Sequence, residues 1–321
     1  MIKLIKKFLS LILVCTLFTS CESTAQKYDS SRIISNFHNA NLNTFADGAA
    51  KNILVPDILN EIIVDNVGAD AYYIASTNRF SSNYTKFHNP YKKLPIASLT
   101  KLMTALVVFE NCKDLNEKYY VTTESVDLER DVSKANLKAG DELSVRDLLY
   151  GLIVPSGNDA ALALAENLSG LDNFVIMMNN EAERLGAMNT HFANPHGLDS
   201  EHHFSTAYDL FLIMRELLKY DEFKKMSTTK EYSAKIKASD GTDRIEKWLN
   251  TNYFVTEELM ISQNVELLAG KTGNTKVAGA CLALLTKDKK NGDEYISIVL
   301  NAKSKRNSYY NSNAILAPIS K

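Results

Sequence analysis

Strand-like apolar runs stand at both ends of this chain, and helical periodicity fills the space between them. AYYIAS and the segment leading to HNPYKKLP have the character of two short strands, joined by a turn around Arg79 to Asn83. Far downstream come VELLAGKTG, AGACLALLTKD and EYISIVLNA, the last two joined by a turn carrying Asn291-Gly292. In between, Leu99, Leu102, Met103, Leu106 and Val107 recur at helical spacing from Ser98, with Pro95 just upstream where a chain enters a helix. SVRDLLYGLIV opens on Ser144 and Asp147 in capping-box-like spacing and stops at Pro155. DAALALAENL, a run from about Asp172 to Leu185 stopped by Gly186, and YDLFLIMRELL after Ser205 complete the helices. This order predicts an α+β architecture: one sheet assembled from distant parts of the chain, with a helical insertion.

The N-terminus differs from this body. Lys3, Lys6 and Lys7 precede FLSLILVCTLF, an apolar run of export-signal length that is too short to span a bilayer. FTSC follows, and small residues before Cys21 resemble the lipobox of bacterial lipoproteins, although Phe18 stands where leucine is usual and Ser23-Thr24-Ala25 offers a competing secretion site. The expected organisation is a signal over 1–21 with a lipid on Cys21, a polar tether over 22–51, and one folded body over 52–321. Such a protein is exported, either to the outer face of the cell membrane or as a secreted or periplasmic form.

Lysine plus arginine number 36 against 38 for aspartate plus glutamate, which lacks the basic surplus of a nucleic-acid-binding chain. The body keeps two cysteines, Cys112 and Cys281, both read as small buried residues, and neither they nor the six histidines form a disulfide or metal pattern. No cofactor or metal is expected.

Three short elements carry chemistry. Ser98-Leu99-Thr100-Lys101 places a hydroxyl and an amine at i and i+3, on one face of a helix start whose N–H groups favour negative charge. A lysine acts as a base only when neutral, and the apolar flanks of Lys101 favour that form. The pattern alone is weak, because Ser227-Thr228-Thr229-Lys230 repeats it in a polar stretch read as a solvated connection. Ser156-Gly157-Asn158 follows Pro155 between two helices; by itself it suits a turn with a helix cap, and three other S-x-N strings occur. Lys271-Thr272-Gly273 occurs once, on an apolar strand, where glycine admits a substrate backbone and lysine plus threonine suit a carboxylate.

S-x-x-K, S-x-N and K-T-G in this order are the signature of serine penicillin-binding proteins and β-lactamases. With their flanks LPIASLTKLMTA, DLLYGLIVPSGNDAALALAE, NPHGLDSEHHFSTAYDL and GKTGNTKVAGACLA, the chain resembles the D-alanyl-D-alanine carboxypeptidases, the low-molecular-mass penicillin-binding proteins, over roughly residues 55 to 315. The resemblance implies a β-lactamase/transpeptidase-like fold, with an antiparallel sheet built from N- and C-terminal strands and flanked by helices. It implies Ser98 as nucleophile, Lys101 as its base, Ser156 as proton relay and Asn158 as the group orienting Lys101 and the substrate amide. Lys271, Thr272 and Gly273 would receive the terminal carboxylate, Asn274 and Ser98 would give oxyanion N–H groups, and Arg306 would add a second carboxylate contact.

Peptidoglycan stem peptides ending in D-Ala-D-Ala are then the expected substrates and β-lactams the expected inhibitors. β-Lactamases commonly add a deacylating glutamate in an E-x-x-L-N segment, which is not expected between Asn158 and Lys271. Many relatives also carry a β-rich domain and an amphipathic helix after the catalytic part, neither expected here. A non-catalytic binding lipoprotein of the same fold would have no need for both Ser98 and Lys101.

Overall fold

In strand β1 (Ala69–Ser76) successive side chains enter two different cores: Ala71, Tyr73 and Ala75 on one face, Tyr72 and Ile74 on the other. A sheet buried on both faces explains why its strands read as unbroken apolar runs rather than alternating ones. The computed structural model describes residues 64, 67–77 and 84–319. The expected signal, Cys21, the tether and the turn at 79–83 lie outside these residues.

Strand β2 (Lys86–His88) pairs with β1, setting Phe87 opposite Tyr73. A turn of 3-10 helix (Ala97–Leu99) leads into α1 (Thr100–Asn111). Strand β3 (Lys118–Tyr120), the short α2 (Thr123–Val126) and β4 (Glu142–Ser144) follow. Next come α3 (Val145–Ile153), α4 (Asn158–Ser169), α5 (Leu171–Leu185), α6 (Ala207–Leu217) and α7 (Asp221–Thr228). A hairpin of β5 (Glu231–Lys237) and β6 (Asp243–Leu249) precedes the long strands β7 (Val265–Thr275), β8 (Gly279–Asp288) and β9 (Glu294–Ala302), and α8 (Lys305–Leu316) closes the order. The main sheet runs β2-β1-β9-β8-β7 with every pair antiparallel, so β1 lies beside the last strand, as the two-ended pattern requires.

Local signals set several of the helix ends. Ser144 Oγ accepts the Asp147 N–H at 3.0 Å to open α3, and Gly186, at φ 78°, ends α5. Helix α6 starts after Thr206 rather than Ser205, because the Thr206 hydroxyl caps the Asp209 N–H at 3.0 Å. It then lays Tyr208 and Phe211 edge-on against Tyr73, with ring centroids 5.5 and 5.0 Å away.

Several expectations need correction. A second sheet, β3-β4-β5-β6, was not anticipated, nor were α7 and α8. The stretch around Ser227 is not a solvated connection: it ends α7, whose Phe223, Met226 and Ser227 are buried, while Lys230 pairs with Glu257 at the surface. Cys281 is buried as expected, but Cys112 is partly exposed. Among the described residues no helix is long and apolar enough to cross a membrane.

Because Phe211 is wholly enclosed between α6 and the sheet, Phe211→Ala is expected to lower the unfolding free energy by about 3–5 kcal/mol. Urea denaturation with an unchanged m-value measures this.

Candidate active site

Ser98 sits in the 3-10 turn, not yet in the α-helix, and is half-buried; α1 begins two residues later. The residue before it, Ala97, takes φ 47°, a left-handed conformation that L-residues rarely adopt and that tends to collect at functional sites. One turn on, Lys101 is fully buried. Its Nζ lies 3.0 Å from Ser98 Oγ, 2.7 Å from Asn158 Oδ1 and 2.6 Å from the His196 carbonyl oxygen. The i, i+3 spacing thus delivers the contact expected of it.

Two further chain segments complete the cluster. Ser156, also left-handed at φ 62°, turns its hydroxyl to Lys271, whose Nζ donates to Ser156 Oγ at 2.8 Å and to the Thr272 carbonyl at 3.0 Å. Thr272 Oγ1 is 2.7 Å from Thr251 Oγ1. Asn158 follows at the start of α4, where Asp159 secures the loop by accepting the N–H groups of Ala135 at 2.7 Å and Leu137 at 3.1 Å. Strand β7 passes very close to the serine turn: a Cβ on Gly273 would lie 2.9 Å from the Ile96 carbonyl oxygen and 3.2 Å from the Leu99 nitrogen. Only glycine fits there, which brings the K-T-G strand alongside Ser98.

Charge in this cluster is the decisive feature. Burial, and then the nearby charge of Lys271, drives the Lys101 ammonium well below its ordinary value, with Asp159 acting the other way. Lys271 is brought down to about 7 by burial and then by Lys305. Lys101 is thus pushed toward its neutral form. As a neutral amine it has two hydrogens, which the Asn158 and His196 carbonyls accept, and its lone pair is left for the Ser98 hydroxyl proton. Chemically the arrangement can supply a nucleophile with an adjacent base, beside a second lysine suited to an anion.

Asn274 follows Gly273 on β7 and is exposed. Arg306 lies in the first turn of α8, exposed, and forms no hydrogen bond or ion pair among the described residues; the adjacent Lys305 is the cation acting on Lys271, its Nζ 3.9 Å from the Tyr253 ring centroid. The string Glu246-Lys247-Trp248-Leu249-Asn250 does satisfy E-x-x-L-N, contrary to expectation. It belongs to β6 and its following residue, and its carboxylate is taken by Asn136 at 2.9 Å and Arg244 at 3.1 Å. Residue chemistry alone missed the His196 carbonyl, because a backbone group has no letter of its own, and the supporting Asp159 and Thr251. The NPHGLD string was the one signal for the first.

With this geometry in place, the sequence model of the D-alanyl-D-alanine carboxypeptidase family matches residues 67–304. The chain is 34% identical over 219 residues to D-alanyl-D-alanine carboxypeptidase DacF of Bacillus subtilis (strain 168), covering 67% of this chain and 53% of DacF. It is 36% identical over 199 residues to a D-alanyl-D-alanine endopeptidase of Pseudomonas aeruginosa, covering 62% and 61%. The crystal structure of the Streptomyces K15 DD-transpeptidase is similar with a TM-score of 0.71 at 30% identity, over 79% of this chain and 98% of that one. The chain spans about half to three fifths of the length of these two curated relatives.

The low value of Lys271 has a measurable consequence without any substrate. Between about 7 and its ordinary 10.5 the unfolded chain holds a proton that the folded chain lacks, so this group makes stability rise with pH. Thermal melting followed from pH 7 to 9.5 is expected to show that rise, and Lys271→Met is expected to make it shallower while the part due to Lys101 remains.

Proposed function

We propose that this chain, which belongs to the D-alanyl-D-alanine carboxypeptidase family, is a serine-type carboxypeptidase that removes the terminal D-alanine from peptidoglycan stem pentapeptides. The observation that carries the reading is the 3.0 Å contact between the fully buried Lys101 amine, whose charged form burial disfavours, and the Ser98 hydroxyl. Lys101 takes the hydroxyl proton as Ser98 attacks the carbonyl between the two D-alanines. The N–H groups of Ser98 and Asn274 receive the oxyanion.

Ser156, bound to Lys271, passes a proton to the departing amine, and water then hydrolyses the acyl-enzyme. Asn158 holds Lys101 and the substrate amide. Lys271 and Thr272 hold the terminal carboxylate beside Gly273, and the arriving negative charge returns the proton to Lys271. Arg306, next to Lys305, is assigned as a further contact to that carboxylate.

A β-lactam enters the same sequence as far as the acyl-enzyme. With Glu246 tied into the second sheet, no glutamate is assigned to deacylation, so the drug is expected to stay on Ser98 as an inhibitor. Endopeptidase action on cross-linked peptides is the second reading, favoured by the 36% identity to the Pseudomonas aeruginosa endopeptidase. In the cell we place the protein outside the cytoplasmic membrane, held by a lipid on Cys21 or released, with 52–321 as one catalytic domain.

Mass spectrometry after incubation with a pentapeptide ending in D-Ala-D-Ala, and separately with penicillin, tests this. Loss of one D-alanine and a persistent adduct on Ser98 are expected, and fast complete turnover of penicillin contradicts the inhibitor assignment. In Lys101→Ala the acylation rate is expected to fall by about 10²- to 10⁴-fold without loss of fold by circular dichroism. Normal acylation of that variant refutes the role of Lys101.

A further inference from the structure

The peptide that joins Ala97 to Ser98 carries two groups with opposite duties. Its N–H is the oxyanion donor in the reading above, on which this inference rests. Its carbonyl belongs to Ala97. In a trans peptide the two point in opposite directions, and the described residues contain no cis bond, so whatever fixes the Ala97 oxygen also aims the Ser98 N–H.

That oxygen is held from behind by buried groups. Thr100 Oγ1 donates to it at 2.8 Å, and the Thr100 N–H reaches it as well. The hydroxyl is oriented in turn by His203, whose Nε2 lies 2.6 Å from Thr100 Oγ1. The tautomer follows from the other ring nitrogen. The Ala193 N–H donates to His203 Nδ1 at 3.1 Å, so Nδ1 is the acceptor and Nε2 carries the hydrogen. Nε2–H therefore occupies a lone pair of the threonine oxygen, and the hydroxyl hydrogen goes to Ala97.

Both side chains are buried, His203 at 3% exposure, and the imidazole packs edge-on to Phe192 with centroids 5.7 Å apart. Gly197 closes the other side: at φ 91°, a Cβ there would stand 2.1 Å from the Ala97 oxygen. The residues just before Gly197 are also fastened to α1, by Lys101 to the His196 carbonyl and by Thr104 to the Pro195 carbonyl, both at 2.6 Å. A threonine near a helix start often bonds back to a carbonyl three residues earlier. Here the carbonyl belongs to a left-handed residue at φ 47°, whose strained peptide needs an external hold to keep its orientation.

We propose that His203 and Thr100 are positioning residues that set the direction of the Ser98 oxyanion N–H by holding the opposite end of the same peptide. Neither touches the substrate, and each acts through the Ala97 carbonyl.

The test uses the full chain and penicillin, separating non-covalent affinity from the acylation rate constant, together with the infrared carbonyl stretch of the acyl-enzyme, which reports hydrogen bonding to the acyl oxygen. Thr100→Val keeps the shape but removes the hydroxyl. Its acylation rate constant is expected to fall about 10- to 100-fold, less than the 10²–10³ for deleting a donor outright, with affinity little changed and the carbonyl stretch shifted to higher frequency. Thr100→Ser is expected to restore most of the rate and the native frequency.

His203→Asn keeps an acceptor for Ala193 but cannot reach Thr100, and it is expected to behave like Thr100→Val; it decides the matter if the valine variant does not fold. Native rate and frequency in Thr100→Val or in His203→Asn, or a Thr100→Ser variant as slow as the valine one, overturn the proposal. A native chain that penicillin does not acylate overturns both this inference and the reading beneath it.

Discussion

Two lysines are buried beside one another, and among the described residues neither has a carboxylate in direct contact. Among the described residues Lys101 and Lys271 meet carbonyl and hydroxyl oxygens only, and Asp159, whose charge opposes the shift of Lys101, spends its own hydrogen bonds on backbone N–H groups. Burying an ammonium without an ion pair is costly, and the ordinary relief is to lose the proton. The fold turns that cost into function. In the proposed reading Lys101 serves as the base and Lys271 takes up a proton when an anion arrives.

The rest of the architecture serves to keep this unfavourable pair in place. Four segments distant in sequence must converge: the serine turn with the start of α1, the loop between α3 and α4, the loop that carries His196, and β7. Three of these approaches have a device of their own. The serine turn and the loop between α3 and α4 carry left-handed residues, Ala97 and Ser156, where strain of about 1–3 kcal/mol each is tolerated because packed neighbours overdetermine the backbone. The strand approaches through a glycine that leaves no room for a side chain. The two-faced sheet then fixes the strand itself, with β1 and β9 drawn from opposite ends of the chain into its centre.

Much of this was legible in the sequence because it rests on strong local codes. The main sheet showed itself through long apolar runs, the central helices through spacing and caps, and the site through three short strings in order. What stayed hidden had weak codes. EYSAKIK alternates exposed polar residues with few buried ones, and DRIEKWL exposes Ile245 and Leu249 while turning Arg244 and Glu246 inward, so the second sheet lacks an apolar face to announce it. DEFKKMST offers two apolar residues, and KRNSYYNSNAIL buries serines and an asparagine on its inner face, which a hydrophobic period cannot detect. The decoys failed for tertiary reasons. Ser227 is sealed in the end of α7 with its hydroxyl on the Lys224 carbonyl, and Glu246 is committed to Asn136 and Arg244. Most informative is the His196 carbonyl, which anchors the Lys101 amine at 2.6 Å and is invisible to any reading of side chains.

The protonation state of Lys101 in the free protein is the point on which everything else turns. Selective carbon and nitrogen labelling of lysine, with Lys101 assigned by substitution, allows its Cε and Nζ shifts to be followed by NMR across pH. A midpoint far below that of the surface lysines, with neutral-amine shifts at pH 7, is the result this structure predicts. Titration of Lys101 together with the exposed lysines near 10.4 would contradict it, since Ser98 would then have no base beside it.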